Sequence, residues 1–144
     1  MFLGEYTHTV DNKGRMAIPA KFREKLGGSG AILTRGLDKC LFLFTAKDWE
    51  PMVQKISALP ITQSNSRAFS RLMLAGAMEV ELDQQGRVLL PDYLREYAGL
   101  KKVAVVAGLY NRVEIWDEAT WKTYKAKTEA SSDEIAERLG ELGI

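Results

Sequence analysis

The chain has one cysteine, Cys40, and one histidine, His8, in 144 residues. A lone cysteine excludes an internal disulfide and points to a reducing compartment. With so few soft ligands, a Cys/His zinc cluster is excluded. No apolar run reaches the ~18 residues that a membrane span needs. The N-terminus, MFLGEYTHTV, lacks the basic stretch and long apolar core of a secretory signal. No P-loop, GxSxG, HExxH or Gly-rich dinucleotide phrase is present, so no enzymatic constellation can be built. The expectation is a non-enzyme without cofactor or metal, cytoplasmic, with no membrane partner. Net charge is almost lacking too, at +1.

That near-neutrality hides a division. Residues 1–72 hold 11 Lys/Arg and 6 Asp/Glu, net +5, while residues 73–144 hold 9 and 13, net −4. Such asymmetry either marks a polyanion-binding half or is drift on a solvated surface. Hydrophobic residues make up 46% and charged ones 27%. Those fractions describe a globular chain of one ordinary or two very small domains.

What the chain does have is a phrase used twice. Residues 11–19 read DNKGRMAIP and residues 83–91 read DQQGRVLLP. Laid on itself at an offset of 72, the chain matches without a gap from 11–49 to 83–121, with ten identities in 39 pairs. These include Arg23-Glu24 with Arg95-Glu96, Gly36-Leu37 with Gly108-Leu109, and Trp49 with Trp121. Chance would supply about two or three at average residue frequencies. The chain is a duplication.

Each copy reads as hairpin, short helix, hairpin, then a longer helix. Residues 5–10 and 77–82 alternate as strands, with Tyr6, His8, Val10 and Met78, Val80, Leu82 facing inward. After each DxxGR turn come short strands at 16–18 and 88–90. Helices follow at 20–26 and 92–98, opened by Pro19 and Pro91 and stopped by Gly27 and Gly99. Strands are expected at 31–34, 41–44, 103–107 and 113–116. Thr45 and Asp117 are the expected N-caps of the trailing helices. A helix near 67–74 links the copies. A last helix near 132–142 starts from a capping-box-like Ser131-x-x-Glu134. The domain reading is a first repeat at 1–60, a linker at 61–76, a second repeat at 77–130 and a C-terminal helix at 131–144. About 45 residues bury too little surface alone, so the two copies should pack as one pseudo-dimer.

The phrases Tyr6-x-His8-x-x-Asp11-x-Lys13-Gly14-Arg15-x-x-Ile18-Pro19-x-Lys21-Phe22-Arg23 and Gly76-Ala77-x-Glu79-x-Glu81-x-Asp83-x-x-Gly86-Arg87-x-Leu89-x-Pro91-x-Tyr93-Leu94-Arg95-Glu96 resemble the two signatures of the MraZ family. The resemblance covers nearly the whole chain. It implies an α+β fold of two tandem AbrB/SpoVT-like swapped-hairpin units packed as a pseudo-dimer with flanking helices. It implies a transcriptional regulator that binds double-stranded DNA at short direct repeats upstream of the division and cell-wall gene cluster. It further implies a homo-oligomer closed into a ring, associated with the nucleoid. The alternative is a ring-forming interaction scaffold, or antitoxin-like module, that meets DNA only incidentally.

The residues that would carry DNA binding are Asp11, Lys13, Gly14, Arg15, Lys21 and Arg23 in copy one, and Asp83, Gly86 and Arg87 in copy two. Arg suits bidentate contact with guanine and phosphate. Asp is repelled by phosphate, so its place is to hold Arg; the competing reading is a turn staple with no DNA role. The copies differ in their surroundings. Residues 11–25 carry five basic and two acidic groups, net +3; residues 83–97 carry two and three, net −1. Lys13, Lys21 and Lys25 align with Gln85, Tyr93 and Tyr97. The first turn is thus the expected reader and the second the expected builder. Arg23 is read equally as a phosphate contact or as part of the interface between copies. His8, Cys40, Trp49 and Trp121 read as packing residues.

Overall fold

A computed structural model describes residues 1–28 and 30–143. In chain order the strands are β1 (Phe2–Thr9), β2 (Arg15–Ala17), β3 (Ala31–Arg35), β4 (Leu41–Thr45), β5 (Met78–Val80), β6 (Arg87–Leu89), β7 (Val103–Tyr110) and β8 (Val113–Asp117). The α-helices are α1 (Ala20–Gly27), α2 (Ala46–Ser57), α3 (Ser64–Ser70), α4 (Asp92–Ala98), α5 (Glu118–Ala130) and α6 (Ser132–Leu139). A π turn, Arg71–Ala75, continues α3, and a 3₁₀ turn, Gly140–Leu142, continues α6.

The architecture is α+β, and the copies exchange strands. Six strands form one antiparallel sheet in the order β1-β7-β8-β4-β3-β5, and β2 pairs β6 in a separate ribbon. So β1 of copy one flanks the hairpin of copy two, and β5 of copy two flanks the hairpin of copy one. A pseudo-twofold axis passes through the pairs Met16↔Val88 and Phe42↔Glu114. Neither copy owns a complete sheet. Residues 1–72 expressed alone should be unfolded or homodimeric by sedimentation and circular dichroism; a folded monomer would contradict the exchange.

The inner core draws on both copies. Phe2, Met16, Ile18, Phe22, Leu26, Leu33, Leu41 and Leu43 meet Val88, Leu90, Leu94, Val106, Val113 and Ile115. Phe22 sits edge-on to Phe2 at 5.2 Å and to Tyr6 at 5.4 Å, locking α1 onto β1. The outer face of the sheet holds a second cluster around Phe42, Phe44, Met73 and Trp116. Trp49 and Trp121 pack there, on Phe44 at 5.2 Å and Trp116 at 5.3 Å. Both tryptophans are packing residues, as expected. Cys40 is buried in the same cluster, and burial pushes its thiol far above the ordinary range. His8 is half-buried on the inner face of β1, where desolvation and then Arg23 lower its pKa. Among the described residues it makes no protein hydrogen bond, and its place is a packing one, as expected.

Several expectations need correction. The offset of 72 does not hold through the third strand of each copy. Ala31 pairs with Thr45 and Val80, whereas Ala104 pairs with Asp117 and His8, so β3 matches β7 at an offset of 73. An ungapped match would turn every side chain to the wrong face. The slip is absorbed in the loops. Copy one closes its hairpin with residues 36–40 and copy two with 109–112. The longer loop uses two left-handed residues, Asp38 and Lys39; the shorter uses Tyr110.

Strand β5 is shorter than expected, and Met78 is 41% exposed rather than inward, because β5 is an edge that meets β3 over three pairs only. Helix α3 starts at Ser64, earlier than expected. Gly99 ends α4 in the left-handed region, but Gly27 lies inside α1 and Gly28 follows it right-handed. Thr45 caps α2 through its hydroxyl, which accepts from Asp48 N–H at 3.0 Å. Asp117 does not cap α5: its carboxylate turns to Lys101 N–H at 3.2 Å. Ser131 does not cap α6: its φ of −116° and ψ of 17° lie outside the extended region an N-cap uses, and its hydroxyl makes no cap bond.

Candidate nucleic-acid interface

The two DxxGR turns have the same hydrogen bonds. Asp11 Oδ1 accepts from Lys13 N–H and Arg15 N–H, both at 2.9 Å, and Oδ2 accepts from Arg15 Nε at 2.8 Å. Asp83 does the same with Gln85 N–H, Arg87 N–H and Arg87 Nε, each at 2.9 Å. In each turn the Gly N–H closes on the Asp carbonyl at 3.0 Å. A side-chain oxygen on a short stem reaches the amides two and four residues on, as Asn or Asp can; the second oxygen, which accepts from Arg Nε, is what the carboxylate adds.

The Arg15 and Arg87 N–H donors, followed by desolvation acting the other way, hold Asp11 and Asp83 below their ordinary carboxylate value. Both are charged at neutral pH. A depressed carboxylate contributes above its ordinary value near 3.8 and loses that contribution as pH falls through the depressed one. The Nε–H resonances of Arg15 and Arg87 should therefore hold steady on acidification and shift only below pH 3.8. A midpoint at or above 3.8 would contradict this geometry.

The glycines set a second constraint. Gly14 and Gly86 have φ of 81° and 75°. A methyl on Gly14 would fall 2.8 Å from Arg95 Cζ, and one on Gly86 would fall 2.5 Å from Arg23 Nε. Each turn is therefore floored by the arginine of the other copy. Arg23 Nε donates to Ile18 O at 2.8 Å and Arg95 Nε to Leu90 O at 2.9 Å. Backbone bonds complete the crossing, Ile18 N–H to Gly86 O and Leu90 N–H to Gly14 O. The structure places Arg23 beneath the second turn as a supporting group. Its partner in this is Arg95, which the repeat of Arg at 23 and 95 marks for the interface between copies but not for the DNA-binding set. Arg95→Ala should loosen the first turn, not the second, read as faster amide exchange at Gly14 and Arg15 with Gly86 unchanged.

The ribbon decides what faces outward. Met16 and Val88 are fully buried beneath it, so Arg15, Ala17, Arg87 and Leu89 occupy its outer face. Arg87 Nη1 also lies 3.9 Å from Asp11 Oδ2, so Arg87 stands between two carboxylates while Arg15, among the described residues, has only its own. Lys13 and Lys21 are exposed and, among the described residues, have no salt-bridge partner. Lys25 is occupied: it pairs with Asp48 at 3.4 Å and lies 4.6 Å over the Phe2 ring. The tyrosines of copy two have structural tasks. Tyr93 Oη donates to Gly76 O at 2.8 Å and Tyr97 Oη to Gly36 O at 2.7 Å. They pin the linker and the β3–β4 loop, with Arg35 against both rings.

Asp11, Lys13, Gly14 and Arg15 thus form one turn with Lys21 on the following helix; Asp83, Gly86 and Arg87 form its twin. No helix among the described residues is long and apolar enough to cross a membrane, and no cluster of three or more His, Cys, Asp or Glu fit for a metal occurs among them.

Comparison with known proteins adds the relationship. A family model described as "MraZ protein, putative antitoxin-like" matches twice, at residues 1–72 and 73–142. A protein of Carboxydothermus hydrogenoformans named "Transcriptional regulator MraZ" is 54% identical over 139 residues, 96% of each chain. Proteins of the same name from Caldanaerobacter subterraneus and Acetivibrio thermocellus are 47% and 50% identical over the full length of both chains. With both repeats matched and relatives near half identity end to end, the chain belongs to the MraZ family.

Proposed function

We propose that the chain is a sequence-specific transcriptional regulator. It binds double-stranded DNA at short direct repeats upstream of a division and cell-wall gene cluster, in the cytoplasm at the nucleoid. The observation that carries this reading is the outer face of the β2–β6 ribbon. There a carboxylate fixes Arg15 through Nε and leaves both Nη groups to a ligand. A two-stranded ribbon fits the major groove, and an Arg with free Nη groups suits guanine O6 and N7 or a phosphate. Lys13 and Lys21 add backbone contacts. The relatives' printed name, transcriptional regulator, agrees with this use.

One turn meets few phosphates. Neutralising two or three gives a salt slope of about −2 to −3 per subunit. Affinity then has to come from several linked subunits on repeated sites, which is the reason to propose a homo-oligomer closed into a ring. Binding isotherms against salt, on DNA with one and with several repeats, test this. A slope that grows with repeat number supports it; an equal slope and affinity on single and multiple repeats would overturn it. The family's description, antitoxin-like, favours a second reading: a scaffold for a protein partner. Unaltered DNA affinity on Arg15→Ala would select that reading.

A further inference from the structure

The outer face of the sheet is covered differently in its two halves. In copy one, α3 and the π turn lie across it. Thr34 Oγ1 donates to Met73 O at 2.7 Å, Arg35 Nη1 to Leu72 O at 3.3 Å, and Met73 is buried against the Phe42–Phe44 cluster. In copy two no such segment lies across the sheet among the described residues: Trp116 is covered by Trp121 and Tyr124 of α5, and Leu109 and Tyr124 remain 37% and 41% exposed. That face holds two cavities of about 490 and 470 Å³ that share Asp38, Trp116 and Tyr124. Ala107, the counterpart of Thr34, lines the larger one, beside Leu109 and Trp121.

The same chain carries a helix with an apolar face and nothing to cover. Ile135, Leu139 and Leu142 recur at i, i+4, i+7 and are 41%, 40% and 79% exposed; no residue of α6 is buried. This helix follows α5 as α3 follows α2. Yet it cannot double back as α3 does. Six residues, 58–63, separate α2 from α3, but Ser131 alone separates α5 from α6. Among the described residues no backbone bond ties α6 to α5: Ser131 N–H closes α5 on Thr128 O, and Ile135 N–H opens α6 on Ser131 O. A one-residue joint leaves too little chain for α6 to reverse and cross the sheet as α3 does. The candidate occupant of the groove is the same helix of a second copy.

Charge agrees. Residues 132–143 contain Asp133, Glu134, Glu137 and Glu141 against Arg138, net −3. At the groove, Arg112 pairs with Glu114 and Lys125 with Glu5. Lys127 lines the smaller cavity and, among the described residues, has no carboxylate partner; Asp38 is the rim's remaining acid. Lys122, on the same helix, is paired with Glu118 at 3.8 Å, so Lys127 is the cation that α5 offers to the acidic flank of α6.

The geometry points to exchange of α6 between subunits: the apolar face of α6 from one copy lies in the groove formed by Ala107, Leu109, Trp116, Trp121 and Tyr124 of another. This rests on the homo-oligomer reading above and names its contact. Donor and acceptor surfaces differ, so the exchange closes reciprocally in a pair or runs on around a ring.

Sedimentation velocity of the full chain tests it, with Ile135→Glu/Leu139→Glu beside the wild type. Both side chains are exposed in the single chain, so the variant's thermal melt, taken at a concentration where both are monomeric, should match the wild type. Its assembly should require at least ten-fold higher concentration. Assembly equal to wild type overturns the α6 contact and leaves the oligomer reading standing; a wild type that is monomeric at tens of micromolar overturns both. A second experiment mixes ¹⁵N-labelled Leu139→Cys with unlabelled Leu109→Cys chains under mild oxidation. Buried Cys40 does not compete. A disulfide joining labelled to unlabelled chain is the expected product, and its absence overturns the exchange.

Discussion

Arg15→Ala is expected to weaken binding to a repeated DNA site by ten-fold or more, and Arg87→Ala by about three-fold or less. The two turns have the same backbone and the same Asp–Arg bonds, so turn geometry predicts no difference. The difference comes from what surrounds them. Arg15 has one carboxylate and two unpaired lysines nearby; Arg87 has two carboxylates and, in place of lysines, Gln85 and a tyrosine that pins the linker. A bidentate Arg–base contact is worth about 1–3 kcal/mol, and repetition around an oligomer multiplies the loss. Fluorescence anisotropy at one fixed salt concentration reads both variants. Equal losses would show that the turns read DNA symmetrically.

Phe22→Ala should destabilise the whole chain by about 3–4 kcal/mol, the usual cost of emptying a buried aromatic site. For a chain of this length that lowers Tm by roughly 10 °C. Phe22 belongs to copy one, but it clamps β1, which is paired to β7 of copy two. The melt should therefore stay a single transition when followed by both far-ultraviolet circular dichroism and tryptophan fluorescence. Trp116 and Trp121 report on copy two and Trp49 on copy one. Separate transitions would mean that the copies fold independently, against the strand exchange.

Much of this was legible in the sequence because duplication compares the chain with itself. Most strands, the short helices and both turns stand near where alternation and the Gly and Pro positions put them; β5, with Met78 exposed, and the end of α1, past Gly27, do not. The candidate turn residues were legible because an Asp reaching its own i+2 and i+4 amides is a local event. Long-range geometry was not. Nothing local shows that Arg95 supports Gly14, since those residues are 81 positions apart. The one-residue slip between β3 and β7 was hidden by Gly36-Leu37 and Gly108-Leu109, an identity that crosses the slip. Asp117 looked like a cap because cap preference ignores a competing amide, and Lys101 supplies one. Lys25 looked free because its partner, Asp48, lies on a different helix.

The central claim is that this chain reads DNA through its first DxxGR turn, repeatedly, as an assembly. Selection of bound fragments from a random DNA pool with the purified full chain tests it most directly. The expected result is enrichment of one short motif repeated at a regular spacing, lost when Arg15→Ala replaces the wild type. Recovery of sequences with no shared motif, or of the same motif with Arg15→Ala, would contradict it.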